Sequence, residues 1–201
     1  MTKDAYHALI QPPEAGAPLV FAFHGTGGDE HQFFEITRQI LPGAGVISAR
    51  GDVSEQGALR FFRRTGEGVY DMEDLSRRVE RMAGFVAAHK AEYPQTPVYG
   101  YGYSNGANIL AAVAMKQPEL FNRIGLLHPL IPWSPAPVAG LAGRRVLVTA
   151  GRRDPICPWP MTEALVTWLC DQGAEVTTEV HAGGHELQQG ELTALRDLLA
   201  A

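Results

Sequence analysis

The sequence predicts an α/β fold with a mostly parallel central sheet and helices on both of its faces. Short β-rich runs alternate with longer amphipathic runs along all 201 residues. That alternation is the mark of strand–helix–strand units, whose strands must lie parallel. The strand candidates are also continuously apolar, with no apolar–polar alternation, as strands covered on both faces require.

The elements follow in order. YHALIQP near the start reads as an antiparallel edge strand. PLVFAFHG (18–25) is the first continuous run and feeds a helix over 29–41, with Asp29 as its expected N-cap and Gly43 beyond its end. GVISARG (45–51) is the second run, and a long helix over 71–93 starts at a second capping candidate, Asp71. PVYGYGYS (97–104) passes directly into a helix over 105–117. RIGLLHP (123–129) and RRVLVTAG (144–151) come next, then a helix over 159–172 closed by Gly173. AEVTTEVHA (174–182) and a last helix over 185–200 complete the chain. There are no repeats, low-complexity tracts or linker-like shifts, so 1–201 is expected to form one domain.

Composition removes several function classes. A net charge of −5 argues against a nucleic-acid surface. No apolar run approaches the roughly 18 residues that cross a bilayer, and MTKDAYHALIQPPE has no apolar leader. The expected location is cytoplasmic, with Cys157 and Cys170 reduced.

Ligands of parallel sheets collect at the carboxyl ends of the strands. Those ends carry HGTGG (24–28), GYSNG (102–106), GRRD (151–154) and HAGGH (181–185). Glycines at a strand-to-helix seam serve either phosphate binding or a strained turn that exposes a nucleophile. The dinucleotide pattern fails here, because Gly100-x-Gly102-x-x-x-Gly106 is one residue too long and the region some 20 positions on, QPELFNR, leads into the next strand instead of ending it. No glycine cluster is followed by the lysine of a phosphate loop. Gly102-Tyr103-Ser104-Asn105-Gly106 does meet the Gly-x-Ser-x-Gly requirement, in spacing and in context.

A serine hydroxyl needs a base, and the base an orienting carboxylate. Asp154 after its strand is favoured over Asp171, which sits near the end of a helix. His185, beyond the flexible Gly183-Gly184, is favoured over His181, which still belongs to a strand. Main-chain amides of Thr26 and Asn105 are the candidates for holding a negative oxygen. His24 reads as a structural support of the loop carrying Thr26. No metal is expected, because HELQQ (185–189) has Gln189 where a zinc-protease signature needs histidine.

With these residues assembled, the chain resembles the phospholipase/carboxylesterase family of α/β hydrolases, which includes the acyl-protein thioesterases and lysophospholipases. The resemblance is carried by HGTGGDE, RGDVSEQGALRFFRR, GYSNGANI, GRRDPICP and GGHEL, and spans about 18–196. It implies Ser104 as nucleophile, His185 and Asp154 as its partners, Thr26 and Asn105 as oxyanion donors, no cofactor, and a homodimer as an assembly to expect. Thr26 stands where many relatives carry leucine, and Tyr103 where phenylalanine is usual. Neither change touches the main-chain donors.

The segment 129–144 is too short for a large lid, which suggests an open site for small or short-to-medium acyl groups. Phe61, Phe62, Trp133, Ile156 and Trp159 are candidate walls of an acyl pocket. Arg60, Arg63 and Arg64 form a basic knot, of which Arg60 is the candidate to hold a polar or anionic substrate group; solvated or structural pairing is the alternative. His128 and Cys157 are read as packing residues near the site. The expected activity is a serine carboxylesterase. A thioesterase or lysophospholipase with the same residues, and a non-catalytic binding module, stay open at this stage.

Overall fold

Residues 2–200 are described in the computed structural model. In chain order the strands are β1 (Ala8–Gln11), β2 (Leu19–Phe23), β3 (Gly45–Ala49), β4 (Val53–Glu55), β5 (Ala58–Arg60), β6 (Arg64–Gly66), β7 (Val69–Tyr70), β8 (Val98–Tyr103), β9 (Arg123–Leu127), β10 (Arg145–Gly151) and β11 (Glu175–His181). The helices are α1 (Phe34–Ile40), α2 (Met72–Lys90), α3 (Asn105–Lys116), α4 (Trp159–Asp171) and α5 (Gln189–Ala200). The main sheet has seven strands in the order β1-β3-β2-β8-β9-β10-β11. β1 pairs antiparallel with β3, as the edge-strand reading expects, and every other pair is parallel.

Both faces are covered, and the strand residues divide between them with period two. In β2, Leu19, Phe21 and Phe23 pack with Phe85 of α2, Ile109 of α3 and Leu165 of α4. Val20 and Ala22 point the other way, into a second core with Phe33, Ile36, Leu195 and Leu199 around α1 and α5. All five residues of β2 are buried, which accounts for their unbroken apolar character. Among the described residues, no helix is long and apolar enough to cross a membrane.

Two helix starts differ from expectation. α1 begins at Phe34, and Asp29 instead accepts the His31 N–H at 2.9 Å, making a turn. The intervening chain is held by other bonds, including Gly25 N–H to Gln32 Oε1 at 2.8 Å. α5 begins at Gln189 instead of His185. Ahead of it the Gly184 N–H donates to the Glu186 carboxylate and the Gln188 N–H to Glu191 Oε2, local side-chain bonds that compete with a helical turn. The segment between β3 and α2 also folds into two small hairpins, β4–β5 and β6–β7, from strands of two or three residues. Such strands are too short to show a period.

Asp71 does cap α2, accepting the Asp74 N–H at 3.0 Å. Asp71→Ala should lower stability by about 1 kcal/mol. The check is urea denaturation, with a lower midpoint and an unchanged slope.

Candidate active site

Ser104 occupies the bend between β8 and α3 with φ +53° and ψ −117°, a conformation side-chain-bearing residues rarely hold. The bend survives because backbone meets backbone on either side. A Cβ on Gly102 would lie 2.5 Å from the carbonyl carbon of Gly106, and one on Gly106 would lie 2.2 Å from the Phe23 carbonyl oxygen. The Ser104 N–H is anchored to Leu127 O of β9 at 2.8 Å. The hydroxyl is thereby lifted above the carboxyl edge of the sheet.

His185 reaches over that edge from the loop after β11. Its Nε2 is 2.9 Å from Ser104 Oγ, and its Nδ1 is 2.7 Å from Asp154 Oδ2. With a carboxylate at Nδ1, that nitrogen carries the proton and Nε2 accepts from the serine hydroxyl. Tyr103 steadies the loop, its hydroxyl donating to His185 O at 2.5 Å and its ring tilted against the imidazole at 5.2 Å. Burial pushes the Tyr103 phenol up to about 12, so it stays protonated.

Asp154 is buried and heavily bonded. Its Oδ1 accepts the N–H groups of Ile156 and Cys157 at 2.8 and 2.9 Å. Its Oδ2 accepts from His185 and also from His128 Nδ1 at 2.8 Å. Burial opposes its charge, yet the Cys157 N–H and the two imidazoles outweigh burial and hold the carboxyl below its ordinary range.

The loop after β2 faces the same bend. His24 is buried, accepts the Gly51 N–H at Nε2 (2.8 Å), and so donates from Nδ1 to Gly25 O (2.7 Å). Thr26 is fixed through its hydroxyl by Arg60 Nη1 at 2.8 Å, and the next residue, Gly27, donates to Leu59 O at 3.0 Å. Asn105 opens α3, where the N–H has no acceptor in a preceding turn. Its side-chain Oδ1 accepts the Phe61 N–H at 2.7 Å. The β4–β5 hairpin thus braces both Thr26 and Asn105.

Thr26, Ser104, Asn105 and His185 line one cavity of about 280 Å³, with Arg60, Arg64, Tyr70 and Ile156 among its walls.

Comparison with known proteins places the chain among hydrolases. No protein-family profile matches the chain. A Bacillus subtilis (strain 168) protein named "Putative hydrolase MhqD" is 36% identical over 181 residues, covering 89% of this chain and 90% of that protein. The crystal structure of the Bacillus cereus carboxylesterase is 33% identical with a TM-score of 0.91, covering 97% and 93% of the two chains. The chain belongs to the phospholipase/carboxylesterase family of α/β hydrolases. A protein of unknown function from Agrobacterium tumefaciens is more similar still, at 55% identity and a TM-score of 0.95, covering 100% and 98%. As a member of this family the protein is an ester-hydrolysing enzyme.

Within this hydrolase the remaining expected residues separate. Arg60 and Ile156 line the cavity. Arg60 is 3% exposed, bonds Thr26 and Phe62 O, and lies 3.4 Å from Glu55. Arg64 pairs with the same Glu55, and Arg63 gives its N–H to Asp74. Phe62, Trp133 and Trp159 do not line the cavity. Phe62 is fully buried against Tyr70, Trp133 walls a neighbouring cavity with Met161 and Trp168, and Trp159 lies under Arg152 at 4.1 Å. Phe61 is likewise core, packed on His24 and Phe23. Phe61 and Phe62 are taken up by the core before they reach the cavity, whereas Ile156 stays exposed at its wall. Sequence reasoning also passed over Tyr70 and Asn108, which bond each other at 2.7 Å beneath the cavity. Above all it left His128 as packing, although the carboxyl end of RIGLLHP delivers it to the same edge of the sheet.

Gly106→Ala should cost more than about 2 kcal/mol, because the methyl meets backbone that cannot step aside. Chemical denaturation should show it, with activity falling in parallel.

Proposed function

We propose that this hydrolase is a serine carboxylesterase, a single domain acting through Ser104, His185 and Asp154. One observation carries the reading: the serine hydroxyl, the imidazole and the carboxylate stand in hydrogen-bonded series at 2.9 and 2.7 Å. Ser104 Oγ attacks the acyl carbon as His185 Nε2 takes its proton, and Asp154 holds the Nδ1–H and stabilises the imidazolium. The negative oxygen rests on the main-chain N–H groups of Thr26 and Asn105, the latter at a helix N-terminus. Collapse expels the alcohol with the proton from His185, and water then repeats the sequence to free the acid.

The preferred esters carry small or short-to-medium acyl groups. A cavity of about 280 Å³ with Arg60 and Arg64 in its wall supports this, since drug-sized ligands usually occupy roughly 300–1,000 Å³. The connection between β9 and β10 has no lid helix to extend it. Arg60 is buried and paired, which favours a role in bracing Thr26 over direct capture of a charged substrate.

Ser104→Ala should lose at least about 10³-fold in kcat while keeping the wild-type thermal midpoint. A fluorophosphonate probe should label the wild type at Ser104 and leave the variant unlabelled; an unlabelled wild type would favour a binding module. Across p-nitrophenyl esters, kcat/KM should peak at short chains. A peak on long-chain thioesters or lysophospholipids would redirect the substrate assignment.

A further inference from the structure

His128 lies at the carboxyl end of β9, fully buried, with φ +50°. A non-glycine residue held there is kept by its surroundings, and such strain gathers at functional sites. Its two ring nitrogens each face a carboxylate: Nδ1 is 2.8 Å from Asp154 Oδ2, and Nε2 is 2.9 Å from Glu191 Oε1. The first contact is an aligned hydrogen bond. The second is a close ion pair whose N–H is not aimed at the oxygen.

Both carboxylates are surrounded by donors. Asp154 accepts from Ile156, Cys157, His128 and His185. Glu191, fully buried in the first turn of α5, accepts the Thr149 hydroxyl at 2.5 Å and the Gln188 N–H at 2.7 Å. His181 Nε2 lies 3.2 Å from its other side. The His181 Nδ1 accepts the Gly183 N–H at 3.0 Å, which leaves the ring's N–H on Nε2, close to Glu191 without an aligned hydrogen bond. Acceptors so placed are anions. A neutral His128 has only one N–H and would turn a lone pair on one of two anions, below 3 Å and away from water.

We propose that His128 is a buried imidazolium that positions Asp154 and, as a fixed cation 5.1 Å from the His185 ring, shapes the pH dependence of turnover. This rests on the Ser104–His185–Asp154 reading above. His128 acts through Asp154 and is a positioning residue. Burial works against its charge, but Glu191 and Asp154 outweigh burial and hold it above the ordinary imidazole value, while Glu191 is held below its own. The groups facing the ring are Asp154, Glu191, His185 at 5.1 Å, His181 at 5.5 Å and the Tyr103 ring at 5.9 Å. The Cys157 thiol bonds its carbonyl oxygen at 3.2 Å. Burial keeps that thiol protonated, so it adds no charge to the cluster. Remove the His128 charge, and the two buried carboxylates lose that positive partner.

His128→Gln keeps a donor for Asp154 but no charge. The acid limb of kcat/KM should move to higher pH by about one unit; a limb at the wild-type position overturns the proposal. A second measurement uses the unaltered protein, labelled with 15N-histidine and observed by NMR. The ring that contacts Tyr103 and His181 should keep both nitrogens protonated at a pH where an ordinary imidazole has lost its proton. A neutral tautomer at pH 8 overturns the proposal even if the variant fails to fold. Fluorophosphonate labelling separates the two readings. An unlabelled wild type removes the triad and this proposal with it, whereas a labelled protein with an unmoved limb removes this proposal alone.

Discussion

The structure depends on one close approach: the first turn of α3 pressed against the ends of β2 and β8 with no side chain between them. Gly102 and Gly106 make that contact backbone to backbone, and it fixes three things together. It holds Ser104 in its strained bend and brings the N-terminus of α3 up to the cavity. It also seats that N-terminus beside Phe23 and His24, where the loop carrying Thr26 begins. The serine hydroxyl, the first turn of α3 and the start of the Thr26 loop are thus placed by a single packing event.

Around that contact the polar groups form a graded electrostatic edge. Buried carboxylates are costly unless each lone pair finds a donor. Asp154 and Glu191 meet this by gathering donors from β10 and from the loops after β9, β10 and β11, with His128 between them. The edge runs from Ser104, exposed to the cavity, through His185 and Asp154 to groups with no solvent contact.

The excursion between β3 and α2 has a different part. Its hairpins give the cavity Arg60 and Arg64, and its backbone and side chains reach Thr26, Gly27 and Asn105. It is held in turn at the start of α2, where Asp74, 2% exposed, takes the Arg63 N–H and pairs with Arg78. A basic knot that looks like a substrate clamp in the sequence is largely occupied with its own protein, because Glu55 and Asp74 arrive beside it only on folding.

The parallel sheet was legible before folding, since strands buried on both faces are largely apolar, as β2 is from end to end. The sequence by itself also determined the Gly-x-Ser-x-Gly bend, whose glycines are required locally by sterics, and the relatives bear out the hydrolase family those motifs suggest. The start of α1 was misread because the bonds that hold the preceding loop come from Gln32 and its neighbours, not from a capping pattern. Folding alone settled which aromatic residues reach the cavity and brought Arg60 to the Thr26 hydroxyl. It alone set His128 between two carboxylates 26 and 63 positions away along the chain. Local sterics act within a few residues and so leave a pattern. Charge pairing and core packing act through space, between residues whose separation in sequence carries no trace of their contact.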